Sequence, residues 1–191
     1  MSSDDENEHD NSEDTCVRTV GCDIYYYGDV DRSTVLEFTE AFKKLETELL
    51  KKAIELPGYK PVINVRICSD GGDVFAGMSA MDTLKNSRVR VDTYVEGVCC
   101  SAGTFFLMGG TKRYMGKHAF ILIHQLSSGF MGKYKDMRDE MKTCKKIMKT
   151  LKKIYKTETN IPKDVLKDML SRDIYLNAEE CLTYGVVHEL F

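Results

Sequence analysis

Twice in this chain a β-branched run passes through a glycine-bearing turn straight into a helical pattern, and this order constrains the fold more than any other feature. Residues 62–67 (VINVRI) have the length and branching of a buried strand, and Ser69-Asp70-Gly71-Gly72 follow at once, then helical spacing at Phe75, Met78 and Met81. Val89, Val91, Thr93 and Val95 then alternate as a strand does. After Gly97, the segment Cys99-Cys100-Ser101-Ala102-Gly103 leads into a short apolar helix over residues 105–108. Strands separated by helices are joined as parallel neighbours, so the chain is expected to be an α/β domain with a largely parallel sheet. No further internal repeat is visible.

The flanking segments extend this pattern. Residues 20–28 (VGCDIYYYG) predict one strand ending at Gly28, and Asp31 offers an N-cap for the helix after it. Val35, Phe38, Phe42, Leu45 and Leu49 form one apolar stripe on that helix, which runs to about Glu55, where Pro57-Gly58 stops it. Residues 113–115 and 120–123 predict two more strands, the second ending at His124-Gln125. Over residues 133–157, Tyr134, Met137, Met141, Cys144, Met148, Leu151 and Tyr155 mark a long amphipathic helix whose other face carries most of ten Lys and Arg. Pro162 suits the first turn of another helix, ending near residues 171–173. Asn177 and Glu180 have capping-box spacing, Gly185 suits the C-cap of the short helix between, and Val186-Val187 predicts a closing strand.

Composition narrows the function. At 191 residues, 42% apolar and 30% charged, one soluble core is expected. Apolar stretches such as residues 119–123 are far below the ~20 residues of a membrane span. The first 14 residues hold seven acids and no Lys or Arg, the opposite of a signal or transit peptide. The expectation is an acidic disordered tail over residues 1–16, a folded domain over residues 17–191 and a cytoplasmic location. Without those seven acids the net charge of -3 becomes 23 acids against 27 bases, far from the strongly basic domain of a nucleic-acid binder. Cys16, Cys22, Cys68, Cys99, Cys100, Cys144 and Cys181 are odd in number and form no CxxC pair, which indicates reduced thiols and neither a disulfide framework nor a zinc site. No metal and no cofactor are expected.

The two turns lie where an α/β fold presents backbone N–H groups to a ligand. Ser101 sits in the second, beside the N–H of Ala102, one candidate oxyanion donor; Gly71-Gly72 offer another, since glycine allows close backbone approach. Serine needs a base. Of the four histidines, His9 lies in the acidic tail and His188 near the C-terminus, leaving His118 and His124. His124 stands at the exit of a strand, where catalytic groups sit. On spacing alone, Ser101 reads equally as a small turn residue, His124 as a hydrogen-bonded core residue, and the basic face of the long helix as simply solvated.

Taken in order, Ser69-Asp70-Gly71-Gly72, Ala76-Gly77-Met78, Cys100-Ser101-Ala102-Gly103, Ile123-His124-Gln125, Arg172-Asp173-Ile174-Tyr175, Asn177-Ala178-Glu179-Glu180-Cys181 and Tyr184-Gly185-Val186-Val187 resemble the proteolytic subunit of Clp proteases, from about Tyr25 to the end. The resemblance implies a ClpP/crotonase-like fold with a protruding handle helix that packs two rings together. It implies a serine endopeptidase with Ser101 as nucleophile, His124 as general base and Asp173 orienting the imidazole, with Gly72 and Ala102 as oxyanion donors. An extended substrate would lie between the strand after the glycine pair, near Val74, and the stretch around Leu126. The implied partners are further copies in a heptamer or tetradecamer, unfolded protein or peptide substrates, and a Clp-type AAA+ unfoldase; neither nucleic acid nor membrane is among them.

Three departures stand out. Asp70 replaces the family's proline beside the glycine pair, Leu126 replaces the proline after His-Gln, and the longer N-terminal stretch that helps dock an ATPase is replaced by the acidic tail. The loss of the first proline is expected to loosen the glycine turn. Two competing readings remain: a catalytically silent structural ring subunit, and a crotonase-like acyl-CoA enzyme, which would need no serine nucleophile. The pairing of Ser101 with His124 favours the peptidase.

Overall fold

The chain runs β1 (Val17–Val20), β2 (Asp23–Tyr27), α1 (Arg32–Glu55), β3 (Val62–Ser69), α2 (Val74–Lys85), β4 (Arg90–Cys100), α3 (Gly103–Gly109), β5 (Lys112–Met115), β6 (Phe120–Leu122), α4 (Tyr134–Glu158), α5 (Lys163–Met169), β7 (Tyr175–Leu176), α6 (Ala178–Thr183) and β8 (Glu189–Leu190). The computed structural model describes residues 16–191; the tail expected over residues 1–16, with His9, lies outside the described residues except for Cys16. The Cys16 carbonyl accepts from Tyr27 N–H at 2.8 Å.

The strands form one sheet in the order β1-β2-β3-β4-β5-β8, with β6 pairing β4 and β7 pairing β6. The pairings β2-β3, β3-β4, β4-β5, β4-β6 and β5-β8 are parallel, as the strand–turn–helix units require. β3 explains the layering: Ile63, Val65, Ile67 and Ser69 are buried, and the residues between them only half-buried. The buried face packs against α1 to α3, where Tyr26, Phe38, Phe42 and Phe106 meet edge-on or tilted. Burying each such ring is worth roughly 1.5–3 kcal/mol. On the other face Arg66 lies 4.9 Å from the Tyr94 ring centroid and pairs with Glu96 at 2.6 Å, covering the sheet with a half-exposed polar layer.

Several boundaries differ from the sequence expectation. Residues 20–28 are not one strand: Val20 and Asp23 pair across a two-residue turn, joining β1 and β2 in an antiparallel hairpin. Gly21, with φ 61°, occupies the first central position, where a type II′ turn requires glycine. β4 does not end near Gly97 but runs on to Cys100, bending where its five residues from Val95 to Cys99 span only the three from Ile67 to Ser69 on β3. Its first half pairs β5 and its second half β6. Phe75 is exposed, because α2 buries Ala76, Gly77, Ala80, Met81 and Leu84 instead. That face is small for a reason: a Cβ at Gly77 would stand 2.7 Å from the Ala102 carbonyl oxygen, so the helix lies against the Ser101 turn. Pro162 is the N-cap of α5 rather than part of its first turn, and the helix ends at Met169. Val186 and Val187 form no strand, since both their N–H groups turn back to the Cys181 carbonyl; the strand is β8, beginning at Glu189.

One charged group stands inside the apolar stripe of α1. Glu46 is 2% exposed and its carboxylate accepts from Ser87 Oγ at 2.9 Å, Arg88 N–H at 2.7 Å and Lys43 Nζ at 3.0 Å, tying α1 to the start of β4. Burial works to raise its pKa, but the Arg88 N–H, Lys43 and Ser87 outweigh it and hold the carboxyl below its ordinary range. A depressed carboxyl contributes stability that is full above the unfolded-chain value of about 4.3 and is lost as pH falls through the folded value. Glu46→Ala is expected to cost about 2–4 kcal/mol in urea unfolding at pH 7, through orphaned donors, and the gap to wild type should narrow below about pH 4. Equal midpoints at pH 7 would show that this carboxylate holds nothing together.

Candidate active site

The glycine turn and the Ser101 turn meet at the ends of β3 and β4. A Cβ at Gly71 would lie 2.7 Å from Ser101 Cβ and 3.2 Å from Ala102 N, so only glycine fits against the Ser101 peptide. Gly71 and Gly72 have φ of 98° and 143°, and a Cβ at Gly72 would stand 2.2 Å from the Val30 carbonyl oxygen. The turn is pinned without a proline. Val30 N–H donates to the Gly71 carbonyl at 2.7 Å, Asp73 N–H donates to the Val30 carbonyl at 2.6 Å, and Gly71 N–H donates to Ser69 Oγ at 3.1 Å. Asp70 is exposed at the rim, and among the described residues it accepts no hydrogen bond.

Ser101 is the one described non-glycine residue in the left-handed region, with φ 50°. Such a conformation costs roughly 1–2 kcal/mol and persists only where its surroundings enforce it. They do. Ser101 N–H donates to the Leu122 carbonyl at 2.9 Å, and the Ser101 carbonyl accepts from Thr104 N–H at 3.1 Å and Thr104 Oγ1 at 2.6 Å. Thr104 Oγ1 in turn lies 2.7 Å from Tyr155 OH, a buried support from α4. Burial raises the Tyr155 hydroxyl pKa far above its ordinary value, so it stays protonated.

These same bonds aim two donors. The N–H of a trans peptide points opposite to its C=O. The Gly71 carbonyl faces Val30, so Gly72 N–H points away from Val30; the Ser101 carbonyl faces Thr104, so Ala102 N–H points away from α3. Neither N–H donates to any acceptor among the described residues, and both Gly72 and Ala102 line one cleft with Ser101.

His124 follows β6 and lines that cleft as well. Its Nδ1 lies 2.9 Å from Asp173 Oδ1, contributed by the turn between α5 and β7. Asp173 is reached because β7 pairs β6 antiparallel, with Leu122 opposite Tyr175. Its side chain remains 76% exposed in the single protomer. Among the hydrogen bonds of the described residues, none joins His124 to Ser101.

The cleft has a volume of about 530 Å³, and both Val74 and Leu126 line it. Val74 opens α2 directly after the N-cap Asp73, so no strand follows the glycine pair. Leu126 N–H is occupied, donating to Met148 Sδ at 3.2 Å. The supports missed by sequence reasoning are Val30, Ser69, Thr104 and Tyr155; Tyr155 alone carried a signal, a hydroxyl within an apolar stripe. His118 is exposed and is not a lining residue. Among the described residues no group of His, Cys, Asp or Glu is arranged to hold a metal ion, and no helix is long and apolar enough to cross a membrane.

Comparison with known proteins gives a consistent result. A family profile described as Clp protease matches residues 24–191. The chain is 34% identical over 130 residues to the ATP-dependent Clp protease proteolytic subunit of Deinococcus radiodurans, an alignment covering 67% of this chain and 64% of that protein. The chain therefore spans just under two thirds of that relative's length. A ClpP1 point mutant from Listeria monocytogenes has the same fold, with a TM-score of 0.74 at 21% identity over 86% of this chain and 88% of that one.

Proposed function

The chain belongs to the Clp protease family, and from that premise we propose that it is a serine endopeptidase that cleaves peptides and unfolded proteins with Ser101, His124 and Asp173. The observation that carries this reading is the strained Ser101, which lines one cleft with Gly72 and Ala102, whose N–H groups meet no acceptor among the described residues. In the proposed reaction His124 keeps its Nδ1 proton toward Asp173, which leaves Nε2 free to accept the Ser101 proton. Ser101 Oγ attacks the peptide carbonyl, and the developing oxyanion is received by Gly72 N–H and Ala102 N–H. His124 then returns the proton to the leaving amine, and water repeats the sequence on the acyl-enzyme. An acyl-CoA enzyme would have no use for the serine, and a silent ring subunit no use for the strain.

In the same reading the protein works as a homo-oligomeric ring, a heptamer or tetradecamer, in the cytoplasm, and receives unfolded chains from a Clp-type AAA+ unfoldase. Incubation with a fluorophosphonate followed by peptide mapping tests the chemistry directly. One adduct is expected, on Ser101, and it should be lost when His124 is replaced. No adduct, or an adduct elsewhere, overturns the assignment.

A further inference from the structure

The cleft that holds Ser101 continues along α4, and its far end carries chemistry that peptide hydrolysis itself does not use. Glu140, Cys144, Ile147, Leu151 and Tyr155 line it at three- and four-residue steps, one face of the helix. The loop after His124 follows that face: Leu126 N–H reaches Met148 Sδ, and Ser128 Oγ lies 3.5 Å from Glu140 Oε1. Between the nucleophile turn and Glu140 the wall is mainly apolar. The helix rises about 16 Å from Leu151 back to Glu140. An extended peptide covers that distance in about five residues.

The charge along this path has one sign. Asp70, Asp73 and Glu140 line the cleft, and no Lys or Arg does. Asp73 is already engaged in capping α2, through Phe75 N–H at 2.7 Å and Ala76 N–H at 2.9 Å. Glu140 has no cationic partner among the described residues; its contacts are Ser128 Oγ and the Cys144 thiol, and Asp136 one turn away is a second acid. Lys142 of the helix pairs with Asp139 at 2.7 Å, and Lys145, Lys149 and Lys152 line an adjoining groove that meets the cleft at Leu126, Ser128 and Cys144.

We propose that Glu140 is a specificity residue, selecting extended peptides with a Lys or Arg about five residues from the scissile bond. The long apolar stem of such a side chain suits the wall, and its charged head would meet the unpaired carboxylate at the end. An acidic residue there would be repelled. This inference rests on the peptidase reading of Ser101.

The test is a set of fluorogenic peptides identical except for one Lys moved a position at a time, with Gln and Glu versions of each. For a half-exposed pair, Lys is expected to exceed Gln in kcat/KM by about fivefold at spacings of four to six, through KM, and Glu to fall below Gln. The preference should weaken with added salt. It should vanish in Glu140→Gln, persist in Glu140→Asp and invert in Glu140→Lys. A flat profile with the neutral peptide cleaved overturns the role of Glu140 and leaves the peptidase standing. A preference that survives Glu140→Gln but disappears in Asp70→Asn also overturns it. Absence of cleavage of every peptide, together with absence of a fluorophosphonate adduct, overturns the peptidase reading and this inference with it.

Discussion

Ser101→Ala is expected to lower hydrolysis of a short fluorogenic peptide by at least about three orders of magnitude, and His124→Ala by a similar factor. The two losses should not multiply in the double variant, because nucleophile and base act as one unit and each is useless without the other. What survives is the contribution of binding and of the Gly72 and Ala102 N–H groups, which remain aimed because the Val30 and Thr104 bonds do not involve the Ser101 hydroxyl. Ser101→Ala also replaces one left-handed non-glycine residue by another, so folding should be little changed. Steady-state rates on purified variants with unchanged oligomeric state are the measurement. Undiminished hydrolysis in either single variant would reject the triad, and a loss of only a few-fold in His124→Ala would point to another base.

How much of this could be read from the chain depends on the range over which each signal acts. Helices announced themselves where one face is apolar and the cap is a side chain: Asp31 and Asn177 both accept from the backbone N–H groups that their spacing promised. The short strands did not. β7 and β8 have two residues each and exist only because β6 and β5 offer them an edge, a tertiary cause that leaves no local pattern. Glu46 lies four residues after Phe42 and three before Leu49, inside the apolar stripe, but its partners Ser87 and Arg88 are far along the chain. The candidate site was legible in the order of its motifs, which brought Ser101, His124 and Asp173 forward as candidates. Its geometry was not, because Val30 pins the glycine pair from a distant loop and Tyr155 supports Thr104 from a helix far along the chain.

Met141→Glu is expected to split or precipitate the assembled protein, whereas Lys146→Glu should leave it assembled. The apolar stripe of α4 is only half used within one protomer. Leu151 and Tyr155 are buried at its C-terminal end, while Tyr134, Met137 and Met141 are 75%, 51% and 57% exposed toward its N-terminus. Phe130 and Met131, just before the helix in the chain, are exposed as well. Three or more large apolar side chains on one projecting helix are worth roughly 1.5–3 kcal/mol each when covered, enough to drive association with further copies. A carboxylate at Met141 would have to be desolvated in that contact, while Lys146 lies exposed on the polar face. Loss of assembly should also cost activity. The Asp173 carboxylate is largely exposed in a lone protomer, where a hydrogen bond to His124 is worth at most about 1 kcal/mol, too little to hold the imidazole toward Ser101. Light scattering and peptide hydrolysis on the same samples decide the matter. A stable 21.7 kDa wild-type monomer would reject assembly, and a fully active Met141→Glu monomer would show that the triad needs no neighbour.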